Sequence, residues 1–310
     1  MQHYLSLAVA LIAITAATLP SFGQNKLDNS LTPREVLRLR EGWHFTREDQ
    51  KAFSNPKYDD SKWSQVVVPH DWAIYGPYSP EIDKQFLAIS QDGQNTPIYH
   101  VARTGGLPHV GAGWYRNTFT LKEGYQSSDR TYLRIDGAMS NARVFINGKE
   151  AIYWPYGYSP FQVDITDYIN PQEKLQSIAI RLENPDETSR WYPGAGLYRN
   201  VWVTFASGVK VAEWGTQITT PRVDKEWAQV NIKTTLENHT FTEPERISIR
   251  TALLEGGNEV AVMENSGSEL MGNLLEQNIK LQHPKLWDLN EPNLYTALTQ
   301  VFVDGELVDS

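Results

Sequence analysis

The chain of 310 residues carries 28 Lys and Arg against 37 Asp and Glu, a formal charge of −9 at pH 7, and has no Cys. Its basic residues are scattered without a run, which excludes nucleic acid and an anionic membrane surface as partners. The absence of Cys excludes disulfides, thiolate chemistry and attachment through a lipidated amino-terminal cysteine, so stability must come from cores of ordinary size.

In chain order, Leu5 to Ala17 is a continuous apolar stretch that ends near the small residues Ser21 and Gly23. Residues 1–24 therefore read as a secretory signal, with a mature chain beginning near Gln24 or Asn25 and residing in the periplasm or outside the cell. No Lys or Arg precedes Lys26, so the amino terminus and His3 supply the positive end. The stretch falls short of the roughly 20 apolar residues that a spanning helix needs, and no other segment is longer, so no membrane partner is expected.

Residues 25–206 form the first expected domain. Period-two alternation recurs in short runs bounded by turn residues: Trp114 to Leu121, Thr131 to Ile135, Arg143 to Ile146, Phe161 to Ile165, Ser177 to Leu182 and Asn200 to Phe205. Such runs are half-buried strands of an antiparallel sandwich. Asn147-Gly148 lies between two of them and signals a type I′ hairpin, because both residues tolerate positive φ. At Ala206-Ser207-Gly208 the sequence changes character, and residues 207–310 form a second expected domain with strands at Val209 to Thr219, Ala228 to Leu236, Arg246 to Leu254, Glu259 to Met263, Leu275 to Leu281 and Tyr295 to Val303. Runs of this length and spacing fit an immunoglobulin-like sandwich. Asp304-Gly305 signals a last hairpin whose return strand has just begun at Ser310, so the chain is expected to be a truncated piece of a longer one. The fold class is all-β throughout.

Few residues advertise chemistry. The ten Trp and fifteen Tyr suit both sugar stacking and sandwich cores. His70-Asp71 resembles a catalytic pair, but its place at a strand end favours side chains bonded to nearby backbone. The seven His show neither H-x-H nor H-E-x-x-H spacing, so no metal is expected, and no phosphate-binding or dinucleotide fingerprint calls for a cofactor.

A series of longer phrases carries more information: Gly42-Trp43-His44-Phe45, Tyr58-Asp59-Asp60-Ser61-Lys62-Trp63, Pro69-His70-Asp71-Trp72, Gly111-Ala112-Gly113-Trp114-Tyr115-Arg116, Gly157-Tyr158-Ser159-Pro160-Phe161, Trp191-Tyr192-Pro193-Gly194-Ala195-Gly196-Leu197-Tyr198-Arg199 and Pro284-Lys285-Leu286-Trp287-Asp288-Leu289-Asn290-Glu291-Pro292-Asn293-Leu294-Tyr295. In this order they resemble the amino-terminal half of glycoside hydrolase family 2, especially its β-galactosidases. The resemblance implies a galactose-binding-like jelly-roll sandwich followed by the immunoglobulin-like domain, in front of a catalytic barrel. It also implies a β-linked saccharide as substrate and retaining hydrolysis by two glutamates of that barrel, which is expected to follow residue 310 and to be the partner of this chain. No catalytic residue is therefore expected here, and the chain alone should be inactive.

Glu291 repeats part of a barrel motif, but its neighbours place it at a sandwich turn. In the family a jelly-roll loop reaches the substrate, and some relatives place an Asp there beside an ion. At that position this sequence has Arg190, followed by Trp191, which makes these two the candidate substrate-binding residues and puts the ion in doubt. Surface pairing of Arg190 with Asp186 or Glu187, and domain packing of Trp191, are the competing readings. Rival functions are a free-standing carbohydrate-binding module, a structural pair of sandwiches, or the same front domains in a β-glucuronidase or β-mannosidase. The sugar, its linkage and the oligomeric state stay open.

Overall fold

The computed structural model describes residues 33–75, 79, 84–87, 98–101, 110–185 and 194–310. The expected signal segment, residues 1–24, lies outside the described residues. Among them no helix is long and apolar enough to cross a membrane; the helical segments are single 3-10 turns.

The first sandwich is built from β1 (Glu35–Arg38), β2 (Trp43–Thr46), β3 (Ser64–Val66), β6 (Gly111–Thr120), β7 (Arg130–Ile135), β8 (Ala142–Ile146), β9 (Lys149–Trp154), β10 (Phe161–Asp164), β11 (Leu175–Asn184) and β12 (Val201–Ala206), with a separate hairpin of β4 (Lys84–Leu87) and β5 (Ile98–Val101). One sheet has the order β1-β12-β7-β10 and the other β3-β2-β6-β11-β8-β9, and every pairing is antiparallel. Alternation decides which face each strand buries. In β12, Val201, Val203 and Phe205 point inward, and in β8 Ala142, Val144 and Ile146 meet them across the core. A smaller aromatic cluster of Phe53, Trp114, Tyr58 and Trp63 covers the outer face of the six-stranded sheet.

The second sandwich comprises β13 (Val209–Val223), β14 (Trp227–Asn238), β15 (Ile247–Glu255), β16 (Asn258–Ser266), β17 (Leu274–Gln282), β18 (Thr296–Val303) and β19 (Glu306–Asp309), in sheets β13-β14-β17 and β16-β15-β18-β19. Ala228, Val230, Ile232 and Leu236 of β14 alternate into the core with Leu275, Ile279 and Leu281 of β17. The one polar break in the β17 face is Gln277, fully buried, whose oxygen accepts from the Thr251 hydroxyl at 2.7 Å and whose amide donates to Asn265 at 2.9 Å. Both hairpin signals in the sequence are realised: φ is 49° and 83° at Asn147-Gly148, and 52° and 81° at Asp304-Gly305. β13 runs to Val223, beyond the expected Thr219, because register shifts between Val211 and Thr216 and between Thr219 and Arg222 let it follow β14 further.

Polar contacts join the two sandwiches. Asp309 has no exposed side-chain surface; it accepts from Nε and, at 2.7 Å, from Nη2 of Arg34, and from the Val211 amide at 2.7 Å. Arg34 Nη2 also donates to the Val211 carbonyl at 2.7 Å. A second contact centres on the buried Lys210, whose Nζ lies 2.9 Å from Glu237 and 4.5 Å above the Tyr132 ring. The Tyr132 hydroxyl donates to Glu237 at 3.1 Å, and His239 lies beside the same carboxylate. Arg134 reaches Glu213 at 3.0 Å.

Candidate functional site

Four connections meet at one end of the first sandwich: those after β3, β7, β9 and β11. The segment that begins at Gly194 is stitched on both sides. His70 donates its amide to the Leu197 carbonyl at 2.8 Å and Trp72 to Ala195 at 3.0 Å, while Met139 and Gly196 exchange two backbone bonds of 3.0 Å. On the other foot, Ser140 and Glu183 exchange bonds of 3.0 and 2.8 Å. Gly196 has φ +128°, and a Cβ there would lie 2.4 Å from the His70 carbonyl and 2.6 Å from the Tyr115 hydroxyl, so only glycine fits. Glu183 and Gly194–Leu197 are thus each tied to neighbouring backbone. Arg190 and Trp191 themselves lie outside the described residues.

Around that base the side chains divide into two groups. On one flank, His70 Nδ1 lies 2.8 Å from the Tyr115 hydroxyl, and its ring stacks on Tyr75 with centroids 5.7 Å apart. Burial lowers the His70 pKa; Asp71 pulls the other way and Arg47 adds to the lowering, so the imidazole is neutral at pH 7. Asp71 Oδ1 accepts the Ala73 amide at 3.0 Å, the backbone-bonding role expected of this pair. Trp72, fully buried, stacks on Phe45.

On the other flank, Tyr156 and Tyr158 stand 58% and 54% exposed with ring centroids 5.7 Å apart. Tyr198 donates its hydroxyl to the Gly157 carbonyl at 2.7 Å, and the Arg199 guanidinium lies 5.6 Å from its ring centroid. Burial pushes the Tyr198 phenol up, the Arg199 charge opposing, so it remains a hydroxyl donor. Sequence reasoning passed over these tyrosines; the flanking Gly157 and Gly196, which mark close backbone approach, were the available signal.

This end offers aromatic faces and neutral or cationic donors. Its acidic groups are held in other bonds: Asp136 accepts Trp202 Nε1 at 2.7 Å and Glu183 pairs with Arg181 at 3.2 Å. Such a surface can bind and orient a hydroxyl-rich molecule. No group of three or more His, Asp or Glu among the described residues is placed to hold a metal ion. Glu291 belongs to the second sandwich, where Asp288 Oδ1 accepts the Asn290 and Glu291 amides at 2.7 and 2.8 Å beside the Trp287–Pro292 bridge. That is a structural turn.

Comparison with known proteins gives a consistent picture. A family model described as Glycosyl hydrolases family 2, sugar binding domain, matches residues 38–205, and one described as Glycosyl hydrolases family 2 matches residues 211–310. The β-galactosidase BoGH2A of Bacteroides ovatus is 34% identical over 285 residues, which cover 90% of this chain and 31% of that protein. A β-glucuronidase of Bacteroides fragilis is 24% identical over 294 residues, covering 89% of this chain and 37% of that protein. The crystal structure of a β-glycosidase from Bacteroides vulgatus superposes with a TM-score of 0.74 at 27% identity, over 89% of this chain and 33% of that one. The chain thus spans about a third of the length of the relatives it matches.

Proposed function

This chain belongs to glycosyl hydrolase family 2, and on that premise we propose that it is the non-catalytic front portion of a retaining β-glycosidase, with the loop end of the first sandwich forming one wall of the substrate mouth. The observation that carries the reading is the double stitching of Gly194–Leu197 to His70–Trp72 and to Met139. On this reading Arg190 and Trp191, which stand between Glu183 and Gly194 in the sequence, take part in sugar binding, Arg190 through a fork of hydrogen bonds and Trp191 through its ring face. Bond breaking falls to two carboxylates about 5 to 5.5 Å apart, the arrangement of retaining enzymes. In the family these are glutamates of the barrel that follows the two sandwiches, so this chain contributes binding and support.

A β-galactoside is the favoured substrate, supported by the 34% identity to a β-galactosidase. A β-glucuronide is the second reading, supported by the relative from Bacteroides fragilis and by the ability of an arginine to receive a carboxylate. Export through residues 1–24 into the periplasm belongs to the same proposal; amino-terminal sequencing that finds Met1 to Leu19 on a soluble cytoplasmic product would reject it.

The test of the main reading compares hydrolysis of nitrophenyl β-galactoside and β-glucuronide by the pure chain and by the longer gene product. The chain alone should be silent and the longer product should prefer the galactoside. Turnover by the chain alone, abolished by changing a carboxylate within residues 25–310, would overturn it.

A further inference from the structure

On the flank of the first sandwich the edge strand β3 runs between two aromatic clusters. Phe53, Tyr58 and Trp63 pack on the outer face of the six-stranded sheet, and Phe45, Trp72 and Tyr115 belong to the core on its inner face. Where the end of β2 and the start of β3 leave this edge, a groove of about 590 Å³ opens between the clusters. Its size falls in the range of small-molecule sites. Tyr58 and Trp63 of the outer cluster line it, as do His70, which packs on Phe45 of the inner cluster, and Tyr75. Tyr75 is 69% exposed and is held in place by its stack on His70, so it presents an ordered aromatic face to solvent.

The polar lining narrows the choice of ligand. Arg47 and Lys62 are balanced by Glu48 and Asp59, so the groove has no net charge but offers donors and acceptors of both kinds. Arg47 is fixed by donating Nη2 to the Trp72 carbonyl at 2.9 Å, and Asp59 by accepting the Ser61 amide at 3.1 Å. His70 uses Nδ1 on Tyr115, while its Nε2 has no hydrogen-bond partner among the described residues. Half-buried polar atoms normally find partners, and in a groove a ligand can supply one.

Several aromatic rings in the lining, a neutral balance of charges and an unused imidazole nitrogen match a molecule with apolar ring faces and equatorial hydroxyls. We infer that this groove is a saccharide-binding site for a neutral β-linked oligosaccharide, gripped between the Trp63 and Tyr75 rings with its hydroxyls bonded to Arg47, Glu48, Asp59 and Lys62. The choice of a saccharide rests on the family reading. Binding is measured without hydrolysis, so an inactive longer protein would leave this inference untouched.

The experiment is calorimetric titration of the chain with three probes: β-1,4-galactotetraose, cellotetraose and trigalacturonate. At least one neutral tetraose should bind saturably and trigalacturonate should not. Tyr75→Ala, which removes an exposed ring and should keep the parent's melting temperature, should weaken binding about tenfold, whereas Tyr75→Phe keeps the face and should bind as the parent does. No saturable heat with either tetraose would overturn the inference, as would parental affinity in Tyr75→Ala. Preferential binding of trigalacturonate that Lys62→Ala abolishes would overturn the assignment to a neutral sugar.

Discussion

Replacing Asp309 by Ala should damage the chain more than the position of this residue suggests. The carboxylate is fully buried and serves three donors, Nε and Nη2 of Arg34 and the Val211 amide. Breaking a buried ion pair by removing one partner costs about 3 to 5 kcal/mol, because the remaining charge stays without compensation. Arg34 keeps 20% side-chain exposure, so water relieves part of its charge and the lower figure of about 3 kcal/mol applies. The stranded Val211 amide adds about 1 kcal/mol. Equilibrium urea unfolding, followed by far-ultraviolet circular dichroism and Trp fluorescence, should therefore show a loss of about 3 to 4 kcal/mol. Arg34→Met combined with Asp309→Leu removes both charges and fills the space; it should recover most of the loss and leave a deficit of about 1 kcal/mol for the amide. A single variant within about 0.5 kcal/mol of the parent, the range of ordinary surface changes, would refute the reasoning. A double variant as unstable as the sum of its parts would do so too.

Gly196→Ala forces a Cβ against the His70 carbonyl and the Tyr115 hydroxyl at a φ of +128°; a stability loss of about 3 kcal/mol or more is expected, and a melting temperature equal to the parent's would sink the argument. Stability should fall in two stages on acidification. His70 is held low by burial, so its contribution is present above its ordinary value of 6.5 and is lost as pH falls through the folded value; His70→Gln should flatten melting curves in that window. Burial raises the Glu237 pKa, but its bonds to Lys210, His239 and Tyr132 and the Lys210 charge lower it further, so its contribution is lost below the ordinary 4.5, and Glu237→Gln should flatten only this second stage. An unchanged slope in either variant would count against the corresponding assignment. In the longer gene product, Arg190→Ala should remove charge-assisted hydrogen bonds of about 1.5 to 3 kcal/mol each, read as raised KM for contacts equal in ground and transition state, with little change in melting temperature. Normal kinetics with a large fall in melting temperature would make Arg190 a structural residue.

How far the sequence alone could be read depended on the range of the interactions involved. Alternation in β14 and β17, and turn pairs such as Asn147-Gly148, are local signals, so the longer strands and the hairpins were legible, with ends misplaced by up to four residues as at Val223 of β13, whereas the short strands β1 to β5 were not read. The role of Asp71 was legible for the same reason, since its partner Ala73 is two residues away. Lys210 was not: it reads as a polar strand residue, and its burial comes from Tyr132 of the other sandwich and from Glu237 across the sheet. Nor does the sequence say that His70 and Gly196 touch, because that contact depends on the order of strands in space. Tyr58 and Trp63 were visible as a family phrase, whereas the groove they help line arises only when β3 is placed at a sheet edge.

The bond between Arg34 and Asp309 also has a history in time. Its partners are 275 residues apart in sequence, and closing a flexible loop of that length carries an entropic penalty of about 5 kcal/mol, which folding of the intervening sandwiches must first remove. During vectorial synthesis the first sandwich is complete once β12 has left the ribosome, yet the clamp on its neighbour waits for β19. The nascent chain therefore passes through a stage in which the first sandwich and the still incomplete second one are joined by the Ser207-Gly208 junction and by the contacts of Tyr132 with Lys210 and Glu237 and of Arg134 with Glu213, before β19 adds the Arg34–Asp309 clamp.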